Sequence, residues 1–247
     1  MKPKRPISEW VITLIVSMVV LIVVAQSYVV AAITLDKSGL SFFITLIFLA
    51  ALVKSYLDVR YVDRQICLSN KQVKELWDVK KIDKFIKNSS DGIFHNHIHN
   101  LHRIYVRDDA ISQDNLVGFL QTNLFATKLR VCELIAGLLV TMGLVGTVIG
   151  LIGSVGGIGG VIDSIGNDSD ALLGSMKETL GGMGTAFYTT LLGAVLGGVV
   201  LKILNNIVEN NINYLVAHVA ELSEIYILPA LRSHARQRGS HDTDNKA

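Results

Sequence analysis

Two long stretches of this chain contain no Lys, Arg, Asp or Glu: Trp10 to Leu35 and Leu134 to Ile162. Nothing else constrains the fold as much, because roughly 20 consecutive apolar residues are what a helix needs to cross the hydrocarbon core of a bilayer. Gly39 to Val53 and Thr179 to Leu201 are uncharged as well. The former reaches spanning length as Gly39 to Leu57 once Lys54 snorkels to the interface. The latter spans from about Gly184. Only 18% of residues are charged, against about 25% in soluble domains. The expected fold is an all-α integral membrane protein with four transmembrane helices and long cytoplasmic extensions.

The formal net charge of +2 says less than where the charges lie. Lys2, Lys4 and Arg5 precede the first run, and the segment between runs two and three is studded with basic residues from Lys54 to Arg130. Lys202, Arg232, Arg236, Arg238 and Lys246 follow the fourth run, whereas the two remaining connections hold only Lys37 and Lys177. By the positive-inside rule both termini and the middle segment are cytoplasmic. The chain then divides into an N-terminal transmembrane hairpin (1–57), a cytoplasmic helical segment (58–132), a membrane core of helices three and four (133–204), a cytoplasmic helix (205–230) and a disordered tail (231–247). A basic start before an apolar run also describes a signal peptide, but this run is about twice the usual length and no small-x-small site closes it. Cys67 and Cys132 lie far apart on the inferred cytoplasmic side, which argues against a disulfide.

In the middle segment, after a break at Asn88 to Gly92, Phe94, Ile98, Leu101 and Tyr105 recur with helical spacing. His95, His99 and His102 share another face of that helix. They are either zinc ligands or a solvated polar face; with no Cys or carboxylate to complete a set, no metal and no cofactor is expected. Beyond the fourth run, Val208, Ile212, Leu215, Val219, Leu222 and Tyr226 form a heptad seam that ends near Pro229.

Within the membrane, close packing and hydrogen bonds hold helices together, and glycine permits close approach. Helix three carries Gly143, Gly146, Gly150, Gly153 and Gly157, and helix four carries Gly193 and Gly197. Hydroxyls accompany them: Thr147 in helix three, and Thr185, Thr189 and Thr190 in helix four. Such a threonine commonly bonds the carbonyl four residues back; on two glycine-lined helices the same groups can line a polar path. No span contains Asp, Glu, His, Lys or Arg in its interior. Pumps and proton relays place one there, and a threonine hydroxyl does not titrate near neutral pH. If the chain conducts ions, the titrating group must come from another chain.

The stretch MGLVGTVIGL, followed by TAFYTTLLGAVLG, resembles the paired helix motifs of the MotA/TolQ/ExbB proton-channel family. The motifs match over roughly residues 133–225; the rest matches in topology only. The resemblance implies a homopentamer around two helices of a single-span partner dimer of MotB/ExbD/TolR type, with an Asp on the partner carrying the ion and a ring of threonines facing it. Thr147 takes the helix-three threonine position and Thr190 the helix-four position, with Thr189 as its neighbour. Four spans with a cytoplasmic N-terminus look like MotA, in a bacterial inner membrane. Val140 and Lys202, however, stand where flagellar members have prolines, and the middle segment offers no alignable pair of rotor-contacting charges.

The implied function is a proton- or sodium-conducting stator subunit of a motor driven by ion motive force. The alternatives are a TolQ/ExbB-type energy transducer for the outer membrane and a scaffold that conducts nothing. Asp163, Asp168, Asp170 and Glu178 in the outer connection either enrich cations at the mouth or belong to a plain soluble loop. A solute transporter would show inverted repeats and broken helices, and an enzyme a nucleophile–base set or phosphate loop; neither pattern is found. Membrane lipid is an expected partner and nucleic acid is not.

Overall fold

The computed structural model describes residues 6–19, 39–79, 92–107, 113–165, 169–229 and 231. Among them the secondary structure is entirely helical: α1 Pro6–Val19, α2 Leu40–Val79, α3 Ile93–Arg107, α4 Asp114–Leu124, α5 Arg130–Ser164, α6 Ser169–Gly193 and α7 Lys202–Leu222. Three π-helical segments join or extend these elements without breaking the chain's helical course: Phe125–Leu129 between α4 and α5, Ala194–Leu201 between α6 and α7, and Ser223–Ile227 after α7. None of the three is foreshadowed by a residue pattern in the sequence.

Among the described residues, three continuous helices are long and apolar enough to cross a membrane: Leu40–Lys74, Asp114–Asp163 and Ser169–Ile227. They contain the second, third and fourth expected spans. The first, Trp10 to Leu35, is described only as the apolar helix Pro6–Val19, and its remainder lies outside the described residues. So does the break at residues 88–91, as does the tail from 232. Helix α2 begins after Gly39, whose φ of 71° is a left-handed conformation that costs glycine little. Helix α5 ends where Ile165 turns extended, at ψ 117°.

The chain forms two compact units. One comprises Ser8–Leu57 and Leu129–Val208. In it the indole of Trp10 donates to the Ser55 hydroxyl at 3.0 Å and packs on the Tyr56 ring, joining the start of α1 to the membrane part of α2. Its most extensive contact is between α5 and α6.

The other unit comprises Met1–Ile7, Asp58–Lys128 and Glu209–Ala247. Here Phe94, Ile98 and Leu101 of α3 are buried, as are Ile212, Leu215 and Val219 of α7. The α3 face and the Ile212, Leu215 and Val219 part of the seam are therefore core faces; Leu222 and Tyr226 are half-buried, and the side chain of Tyr105 lies outside the described residues. Polar contacts fix the register. Gln65 Oε1 accepts from the first amide of α3, Ile93 N, at 3.0 Å, which satisfies one orphan donor of the helix start. Gln113 Nε2 donates to Glu224 Oε2, Gln121 Nε2 donates to Asn213 Oδ1, and His218 bonds Asn70. Lys128 reaches the buried Asp58 at 3.3 Å and lies over the Tyr61 ring.

The buried histidine of α3 is His97, on the side of Phe94, Ile98 and Leu101 and away from His95, His99 and His102. Burial holds its pKa below the ordinary 6.5, with the nearby Gln113 side chain opposing the shift. His218, half-buried, is also lowered, with Glu221 opposing. The unfolded chain takes up a proton at His97 as the pH falls through 6.5, while the folded chain resists it. Stability is thus complete above that value and declines below it. Melting curves of the purified protein will fall less steeply below about pH 6.5 in His97→Gln than in the wild type. An identical slope in both would exclude His97 as the source.

Candidate functional site

Helices α5 and α6 run antiparallel, and their contact is made by residues that lack side chains. A Cβ added at Gly143 would lie 3.0 Å from Thr189 O and 3.3 Å from Gly193 Cα, and one at Gly193 would lie 2.5 Å from Leu139 O. One at Gly150 would meet Ala186 N at 2.5 Å and Gly182 O at 2.6 Å. At Gly146 it would run into the Thr189 side chain, at Gly157 into Thr179, and at Gly197 into Ala136 O at 2.7 Å. At Gly150, Gly157, Gly193 and Gly197 the approach is to backbone atoms at 2.7 Å or less, which a larger residue would push apart, and such proximity is how helices associate in lipid.

Gly153, expected on the same ridge, has nothing within 4 Å. The contact line steps from Gly150 to Ser154 to Gly157, by four and three residues, and so leaves Gly153 to one side. Ser154 is buried there against Gly182. The sequence reading missed Ser154 and Gly182, although the same heptad step, carried on from Thr147, points to Ser154. It also missed Ser175, against which Gly160 packs, and Thr179, which faces Gly157.

The hydroxyls divide into two kinds. Thr13, Thr45, Thr122, Thr127, Thr141, Thr179 and Thr189 donate to the carbonyl four residues back. This is the ordinary behaviour of a helical threonine. Thr189 is wholly buried, bonding Thr185 O and also Ala186 O, and Thr185 is buried beside it. These two therefore pack within the hairpin.

Thr190 departs from the pattern, since its hydroxyl crosses to α5. It lies 3.1 Å from Gly143 O and 2.6 Å from the hydroxyl of Thr147. Thr147 in turn lies 3.1 Å from the same carbonyl. The close approach of Gly143 to Gly193 and to the Thr190 backbone brings that carbonyl within reach of both. Unlike Thr189, the pair is only partly buried. It occupies a surface otherwise made of exposed apolar side chains, among them Leu144, Val148, Phe187 and Leu191. The structure thus joins Thr147 to Thr190 and leaves Thr185 and Thr189 in the packing behind them. Such a site can bind through neutral oxygens, but nothing in it titrates near neutral pH.

Against known proteins, the model of the MotA/TolQ/ExbB proton channel family matches residues 87–221. The match takes in both threonines of the pair and almost all of α3 to α7. It begins well before the region where the motifs are legible in the sequence, within the middle segment. Comparison with curated proteins and with solved structures gives no match.

Proposed function

Since the chain belongs to the MotA/TolQ/ExbB proton channel family, whose model covers more than half of it, we propose that it is the ion-conducting stator subunit of a motor in the bacterial inner membrane. Five copies surround a dimer of a single-span partner of MotB/ExbD/TolR type, and both termini are cytoplasmic. An intramembrane Asp of the partner carries a proton, or a sodium ion, past the Thr147–Thr190 pairs, and passage of the ion turns the pentamer about the partner. The driving force is sizeable: one charge crossing 100 mV is worth about 2.3 kcal/mol.

The observation that carries this reading is the hydroxyl pair itself. Thr190 turns from its own helix to Thr147 and Gly143 O, in a membrane segment without Asp, Glu, His, Lys or Arg, at a place where the pair remains partly exposed. A fully dry scaffold has no need of polar groups on that surface. The remaining exposed apolar surface of α5 and α6 is suited to lipid and to neighbouring helices.

The test is reconstitution into liposomes with a pH-sensitive dye inside and a membrane potential applied. Proton uptake is expected only when the chain is co-purified with a single-span protein bearing an intramembrane Asp. Current through the chain alone, or none through the complex with either ion, would refute the proposal.

A further inference from the structure

Three oxygens, Gly143 O, Thr147 Oγ1 and Thr190 Oγ1, form a triangle with edges of 3.1, 3.1 and 2.6 Å. Each edge is short enough for a hydrogen bond, yet the two hydroxyls bring only two protons. Gly143 O, inside α5, also accepts an amide in the helical ladder. It has two lone pairs, so it has room for one hydroxyl proton. The other proton must then lie between the threonines. In one arrangement Thr147 donates to the carbonyl and Thr190 to Thr147; in the other Thr190 donates to the carbonyl and Thr147 to Thr190. In both, each proton is used within the triangle, and only oxygen lone pairs face outward.

We infer that the Thr147–Thr190 pair is an acceptor-only site, which takes a group that brings its own proton, a neutral carboxylic acid, and disfavours the bare carboxylate. This rests on the reading of the pair as the ion-facing site, and it adds a direction. A carboxyl passing the pair is held while protonated. On losing its proton it loses its hydrogen bond here, because a hydroxyl that turns outward gives up its own bond inside the triangle and leaves two of the three edges without a proton. Gly143 is the positioning residue: its carbonyl keeps the protons inward, and its missing side chain lets Thr190 reach that carbonyl.

Two measurements test this. The first needs no partner: the full chain in lipid nanodiscs, labelled at threonine, is followed by NMR. Both hydroxyl protons should exchange with water much more slowly than an unbonded hydroxyl, and free exchange at either residue overturns the inference. The second uses the complex in liposomes and compares wild type with Thr190→Asn, whose amide supplies outward donors. Donors favour the carboxylate, so loading needs more acid and the midpoint of flux against pH should move lower by about one unit or more. An unchanged or raised midpoint overturns the inference. Wild-type flux in Thr190→Val removes the ion-pathway reading and this inference with it; the exchange data then show whether the triangle itself stands.

Discussion

Thr190→Val abolishes ion-driven flux while the subunit still folds and assembles. Valine keeps the shape of the side chain and deletes the hydroxyl, so the crossing bond to Gly143 O and the contact with Thr147 are both lost. One interhelical hydrogen bond in a membrane is worth about 0.6 kcal/mol on average and seldom more than about 1.7. The α5–α6 hairpin does not depend on it, being held by backbone approaches at Gly143, Gly150, Gly157 and Gly193. On the proposed function conduction has no such reserve, since the pair is then the polar surface that a passing proton carrier meets. Thr147→Val is expected to do the same. Thr189→Val is the contrast: its hydroxyl bonds only its own helix, and flux should persist. Dye-reported proton uptake, with size-exclusion profiles to verify assembly, separates these outcomes. Equal flux in all three variants would remove Thr147 and Thr190 from the pathway.

The second large effect is one of opposite signs at two glycines three residues apart. Gly150→Ala places a methyl 2.5 Å from Ala186 N and 2.6 Å from Gly182 O. Both atoms are backbone, so relief requires the helices to separate, and overpacking of this kind costs about 1–3 kcal/mol. Gly153→Ala meets nothing within 4 Å and gains the helix propensity of alanine over glycine, about 1 kcal/mol. Unfolding of the purified protein in denaturant should show Gly150→Ala destabilised and Gly153→Ala unchanged or stabilised. A loss at Gly153 as large as that at Gly150 would mean that another chain packs there.

The outcome at Gly153 shows where sequence periodicity stops being informative. A glycine ridge is visible in the letters, but Gly153 and Ser154 are adjacent, and which of them meets α6 depends on how the two helices twist about each other. The contact line follows the heptad step, and Ser154 takes the place. The threonines of α6 pose the same problem. Thr189 and Thr190 differ by one position, about 100° around the helix, and only the packed hairpin turns Thr189 into the seam and Thr190 toward Thr147. Likewise the histidines of α3 stand out in the sequence, yet the buried one is His97, because the face with Phe94, Ile98 and Leu101 turns inward.

What the sequence determined by itself is the solvent and the material of the fold. Uncharged runs of spanning length require a membrane, and the interiors of those runs hold no Asp, Glu, His, Lys or Arg. These follow from free energies of transfer, which depend on composition along the chain and scarcely on packing. The tertiary structure decided which hydroxyls lie together, which glycines are contacts, and that hydroxyls from two helices come within hydrogen-bond reach of Gly143 O. Those depend on the approach of two backbones to within a few tenths of an ångström, set by many side chains acting together and by no single motif.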